Sequence, residues 1–89
     1  MKYVFTKHAK ERMRLRKVSK DKVVDTIKNY ESKALDDETE NKIAFYKIWE
    51  KEQVLKVVTA QHRDKIRIIT VHPISIKRLK NIKNLIEIK

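Results

Sequence analysis

Apolar positions recur along this chain with two different periods, and the switches between them divide it into elements. Tyr3-Val4-Phe5 is a short apolar run that stops at Thr6, a good helix N-cap. From residue 7 to about residue 16, Ala9 and Met13 stand one turn apart in an otherwise charged segment, which predicts a helix with a narrow buried stripe. Lys17-Val18 breaks that pattern. Ser19 is a second N-cap, Asp21 is favourably placed in the first turn, and Val23, Val24, Ile27 and Tyr30 give a second helix its apolar face. Residues 31–42 are mostly polar, with a weak strand over 32–36 and an acidic turn, Asp36-Asp37-Glu38-Thr39-Glu40.

The period then changes to two. Over residues 43–50, Ile43, Phe45 and Trp49 fall on one face, and Ala44, Tyr46 and Ile48 on the other. Residues 54–60 and 66–71 are rich in β-branched side chains, and the connections 51–53 and 63–65 are short enough for hairpins, so a meander is expected. Pro73 is expected to stop the last strand. Ser75 then caps a terminal helix with Ile76, Leu79, Ile82, Leu85 and Ile86 on one side and Lys77, Lys80, Asn81 and Asn84 on the other, although residues 85–89 also alternate like a strand. The expected order is β-α-α-β-β-β-β-α, a single α+β domain over residues 1–89. Two early helices cover one face of an antiparallel sheet of four or five strands, and part of the other face is left for water or a ligand.

Charge changes the picture from fold to partner. Residues 1–20 hold eight Lys/Arg against one acid and residues 65–89 hold seven against one, whereas residues 21–64 hold eight against ten. The net charge of +11 therefore sits at the two ends of the chain. Clustered cations repel one another, and the commonest counter-charge for such a chain is a nucleic-acid backbone. The chain has no Cys, which excludes disulfides and thiolate chemistry, and no Gly, which excludes a glycine-rich phosphate loop. Without Gly, hairpins are expected to avoid positive φ or to place Asn or Asp there. No run reaches the length of a membrane span and Met1-Lys2-Tyr3 begins no signal peptide, so a cytoplasmic location without membrane contact is expected. The abundance of Lys, Glu and Ile resembles thermophile compositions.

Few residues carry candidate chemistry. His8, Arg12 and Arg16 recur at i, i+4 and i+8 and line one strip of the first helix beside Ala9 and Met13. A histidine there is a candidate proton acceptor, and an arginine one turn on suits bidentate grip of a phosphate. A second cluster, from Gln61 through His62, Arg63 and Lys65 to Arg67, is expected at a hairpin tip, where polar residues are also ordinary. His72 ends a strand, a place where rigid scaffolds often present active groups, and Tyr46 is either core or a surface for a base. His8, His62 and His72 lack the local spacing of a zinc site, and no metal or other cofactor is expected.

The segment Phe5-Thr6-x-His8-Ala9-x-Glu11-Arg12-Met13-x-x-Arg16-x-Val18-Ser19 resembles a widespread family of small bacterial and archaeal domains that read H-A-x-x-R-M-x-x-R-G-I-S. Thr70-Val71-His72-Pro73 is similar to that family's last strand. The match departs at Lys17, where the family has Gly, and the loss of a C-cap is expected. The family is placed near the RelE/ParE/BrnT toxins of toxin–antitoxin pairs, which implies a RelE/ParE-like fold and metal-independent cleavage of RNA, including ribosome-bound mRNA. Under that implication the chain is an endoribonuclease in which His8 or His62 is the base and His72 or Tyr46 the acid. Arg12, Arg63 and Arg67 clamp phosphate. Lys7, Lys10, Arg14, Arg16, Lys65 and Lys77 complete an RNA-binding surface. The charge pattern alone is equally met by a basic nucleic-acid-binding module without catalysis, or by an interaction domain whose basic ends receive an acidic antitoxin. The sequence does not set the oligomeric state.

Overall fold

The computed structural model describes residues 2–35, 42–82 and 85–89. Strand β1 (Lys2–Phe5) leads into helices α1 (Lys7–Arg16) and α2 (Lys20–Lys28), followed by β2 (Ser32–Leu35), β3 (Lys42–Glu50), β4 (Gln53–His62) and β5 (Lys65–Ser75). A 3₁₀ helix, Ile76–Asn81, and a last strand, β6 (Leu85–Ile88), complete the described chain. The strands form one sheet in the order β1-β5-β4-β3-β2-β6. The class is α+β, but the sheet is mixed and six-stranded, where an antiparallel sheet of four or five strands was expected. β1 lies parallel to β5, because the chain leaves β1 directly into a helix that continues alongside the same strand. The expected meander β3-β4-β5 is present and antiparallel, and β2 pairs antiparallel with β3 beside it.

The terminal helix is also different. Ile76, Leu79 and Ile82 recur every three residues, which a 3₁₀ helix sets in one row, and this helix is short. Ser75 caps it as expected, its Oγ accepting from the Lys77 N–H at 3.3 Å. Leu85–Ile88 then alternates with period two and adds to the outer edge of β2, which supplies ladder partners that a helix there would leave unused. Pro73 does not stop β5 but lies inside it, opposite Leu55. β1 pairs only with Lys65 to Ile68, so among the described residues no strand lies on the outer side of β5 beyond that point, and a residue without an N–H fits. The acidic turn over 36–40 and Asn84 lie outside the described residues.

Both helices cover one face of the sheet. Ala9, Met13, Val18, Val23 and Ile27 pack on Leu55, Val57, Ile66, Ile68 and Val71, all buried, with Tyr3, Phe5, Phe45 and Trp49 at the margins. Asp25 of α2 and Lys47 of β3 tie the layers together through an ion pair at 2.6 Å. That pair, with the Asn29 amide donating to the other carboxylate oxygen at 2.8 Å, holds the Asp25 carboxyl below the ordinary carboxylate range. On the opposite face a smaller cluster, Ala34, Ala44, Tyr46, Val54 and Val58, is partly roofed by Leu79 and Ile82 of the 3₁₀ segment. Among the described residues no helix is long and apolar enough to cross a membrane.

Turns without glycine are solved by ordinary residues in the left-handed region. Glu52 (φ 60°) and Arg63 (φ 59°) take that role in the two hairpins, rather than the Asn or Asp expected. Lys17 does the same at the end of α1 (φ 57°, ψ 44°), and there the C-cap is complete rather than lost. The Val18 N–H donates to the Met13 carbonyl at 2.9 Å and the Lys17 N–H to the Arg14 carbonyl at 3.3 Å, with Met13 and Val18 together in the core. A side chain with a Cβ is strained there, so Lys17→Gly should raise unfolding free energy by about 1 kcal/mol, read as a higher urea midpoint at unchanged slope. An unchanged or lower midpoint would show that Lys17 is not strained in this cap.

Candidate nucleic-acid interface

The sheet register decides which side chains can meet. Even-numbered residues of β3 and β4 face away from the helices, and cross-strand pairing sets Ser32, Tyr46, Lys56 and His72 in one row on that face. After β5 the chain turns back over the end of this row through the Ser75 cap, which brings Arg78 and Asn81 to its rim. The result is a cleft of about 350 Å³ lined by Tyr46, Lys56, His72 and Ile74 from the sheet and by Arg78 and Asn81 from the 3₁₀ helix. Tyr46 is buried at its floor, with the Lys56 ammonium 5.9 Å from the ring centre.

Two cations of α1, on the other side of the sheet, also act on His72. The Thr6 hydroxyl donates to the Ile68 carbonyl at 2.9 Å and lies 3.2 Å from that of Ile69, so α1 starts level with these residues. Its end, at Leu15 and Arg16, shares a surface hollow with Pro73. Helix α1 therefore runs beside β5 where β1 has ended, and about 15 Å of helix parallels four residues of strand. Arg12 and Arg16 thus come close enough to His72 to act on its charge. Partial burial is the main reason that the His72 pKa lies below its ordinary value of 6.5, and repulsion from Lys56, Arg12, Arg16 and Arg78 lowers it further. Burial and these charges therefore favour the neutral form of His72, which can accept a proton.

Of the sequence-predicted residues the cleft brings together Tyr46 and His72, while Arg12 and Arg16 are exposed on α1, over the other face of the sheet. His8 is exposed in the first turn of α1, with Lys7, Lys10 and Arg14 also exposed along that helix, and Lys77 is exposed on the 3₁₀ helix. His62, Arg63, Lys65 and Arg67 sit at the β4–β5 hairpin end, and six residues of β4 separate His62 from Lys56, about 20 Å. The pairing of a base at His62 with an acid at His72 is therefore not available within one cleft. Lys56 and Arg78 were missed. Lys56 was legible as the lone charge in a β-branched strand, whereas Arg78 depends on the 3₁₀ turn, which no local pattern aimed at the sheet. Among the described residues no three His, Asp or Glu side chains group as metal ligands.

Because His72 is charged less readily in the folded chain, its neutral form contributes stability above about pH 6.5, and that contribution is lost as the pH falls through its lowered pKa. A proton NMR titration should place the His72 midpoint below 6.5. Lys56→Gln should move it upward, and Arg12→Gln upward by less. A midpoint insensitive to both substitutions would remove the proposed electrostatic link between α1, β4 and the cleft.

No curated protein and no solved structure gives a significant match to this chain. The sequence profile of a family described as a domain of unknown function (DUF4258) matches residues 5–73, from the strand before α1 to the proline beside His72, and the chain belongs to that family.

Proposed function

We propose that the chain binds RNA through the cleft between β3, β4, β5 and the 3₁₀ helix, and that it is an endoribonuclease acting without a metal. The observation that carries this reading is a half-buried His72 that shares one cleft with Lys56, Arg78 and the buried Tyr46. Phosphodiester transfer needs a proton acceptor, positive charge around the phosphate and a proton donor, and the cleft supplies groups of each type. An imidazole nitrogen of His72 takes the proton of a ribose 2′-hydroxyl, and the 2′-oxygen attacks the adjacent phosphorus. Lys56 and Arg78 stabilise the charge that builds on the phosphoryl oxygens. The bond from phosphorus to the 5′-oxygen breaks, and that oxygen leaves as a hydroxyl with a proton from Tyr46. The products are a 2′,3′-cyclic phosphate and a 5′-hydroxyl end, after which His72 returns its proton to Tyr46 through water. The resemblance of the first helix to domains placed near the RelE/ParE/BrnT toxins supports the same substrate class.

Incubation with naked RNA in EDTA, and with ribosomes carrying mRNA, should yield fragments with 2′,3′-cyclic phosphate ends. His72→Ala should slow cleavage by about 100-fold or more, while His8→Ala should leave the rate unchanged. The rate should rise with pH through the lowered pKa of His72 and level off near neutrality. Absence of cleavage on both substrates, with RNA binding that weakens steeply as salt rises, would leave a binding module and remove the catalytic assignment.

A further inference from the structure

The cationic rows of the open face do not stop at the cleft. At the other end of the sheet, Lys2 of β1 lies opposite Lys65 of β5, and Lys65 lies opposite His62 of β4, so these three stand abreast. One row inward, Val4 pairs with Arg67, Arg67 with Ala60 and Ala60 with Lys42. These rows face the same way as His72. β4 is in regular register with β3 from Val54 to Ala60, so Lys56, Val58, Ala60 and His62 share one face. In β5 the single extra residue at Ile69, where Thr59 faces Ile68 and Val58 faces Thr70, keeps Arg67 on that face with His72. His62, Lys65 and Arg67 border a hollow of about 560 Å³ floored by Val4 and Ala60.

We propose that this hollow is a second phosphate-binding station for a single-stranded RNA whose scissile phosphate lies in the His72 cleft. The inference rests on the reading of the cleft given above and adds the length and form of its substrate. The two stations are about 20 Å apart, measured as six residues of β4. At about 3.4 Å per nucleotide in a stacked strand this corresponds to about six nucleotides, and to fewer in an extended one. Between them the surface is made by half-buried Ile69 and Thr70 over the apolar cluster of the open face. Such a surface suits unpaired bases, which a duplex would keep turned inward. The cations at the hairpin end thus hold the backbone of a flanking segment while the cleft holds the reacting phosphate.

Binding of 2′-O-methyl oligouridines, which lack the attacking hydroxyl, separates the two claims. For the wild-type chain, affinity should rise from the dinucleotide to the octamer and then level. Lys2→Gln with Arg67→Gln should weaken the octamer roughly tenfold, leave the dinucleotide unchanged, and reduce the slope of log affinity against log salt by about 1.4. Lys56→Gln with Arg78→Gln should weaken both oligomers. Lys2 and Arg67 are exposed, so the hairpin-end variant should keep the wild-type melting curve. Unchanged octamer affinity in that folded variant, with loss in the cleft variant, would overturn the second station and leave the cleft reading in place. An eight-base-pair duplex binding as tightly as the octamer would overturn the single-strand assignment. No binding of the octamer to the wild-type chain would overturn both.

Discussion

The hydroxyl of Thr6 governs how the two halves of this chain meet. It donates to the Ile68 carbonyl, lies within reach of that of Ile69, and accepts from the Ala9 N–H at 3.1 Å. Those two carbonyls flank the point where β5 carries its extra residue, so the bulge offers acceptors on the outer side just where β1 ends. With its backbone N–H donating to the same Ile68 carbonyl at 3.2 Å, Thr6 closes the β1 ladder, caps α1 and sets the level at which that helix begins. Everything that α1 brings to β5 follows from this level, including the approach of Arg12 and Arg16 to His72. A helix started one residue later would turn by about 100° and aim those arginines elsewhere.

The bulge matters for a second reason. A strand with period two would place Arg67 and His72 on opposite faces, since their numbers differ by an odd step. The extra residue at Ile69 cancels that step. It leaves Ile66, Ile68 and Val71 against the helices while Lys65, Arg67 and His72 all look outward. The same local defect thus completes the apolar core on one side and gathers cations on the other. Strong like-charge crowding on a single face lowers stability, and the helix-side core of β-branched and leucine side chains offsets it.

Much of this was legible because the signals were local. The caps at Thr6 and Ser19, the stripe of Ala9 and Met13, the alternation in β3 and the tight hairpins each depend on neighbours within a few residues. The parallel pairing of β1, the continuation of β5 through Pro73 and the addition of β6 depend on which sheet edge is vacant, and no window of sequence carries that. The positive φ of Lys17, Glu52 and Arg63 went unseen because these residues have no intrinsic preference for it, and the surrounding ladders impose it. For the cleft, Tyr46 and His72 stood out singly. Their convergence with Lys56 is a matter of register, and with Arg78 a matter of where a 3₁₀ turn lands.

The electrostatics of the cleft join these strands of the argument. Cations that surround a histidine oppose its protonation, so the group that gathers around His72 also keeps it ready to take a proton. A phosphodiester entering the same cleft would bring negative charge and relax that repulsion, raising the basicity of His72 when substrate is in place. An anion there would offset the repulsion that Lys56, Arg12, Arg16 and Arg78 exert on a protonated His72. A strand and a 3₁₀ turn each bring a cation, Lys56 and Arg78, to the cleft that holds this imidazole. The proposed phosphate site rests on the meeting of Lys56 and Arg78 with His72 in one cleft, more than on the net charge of the chain.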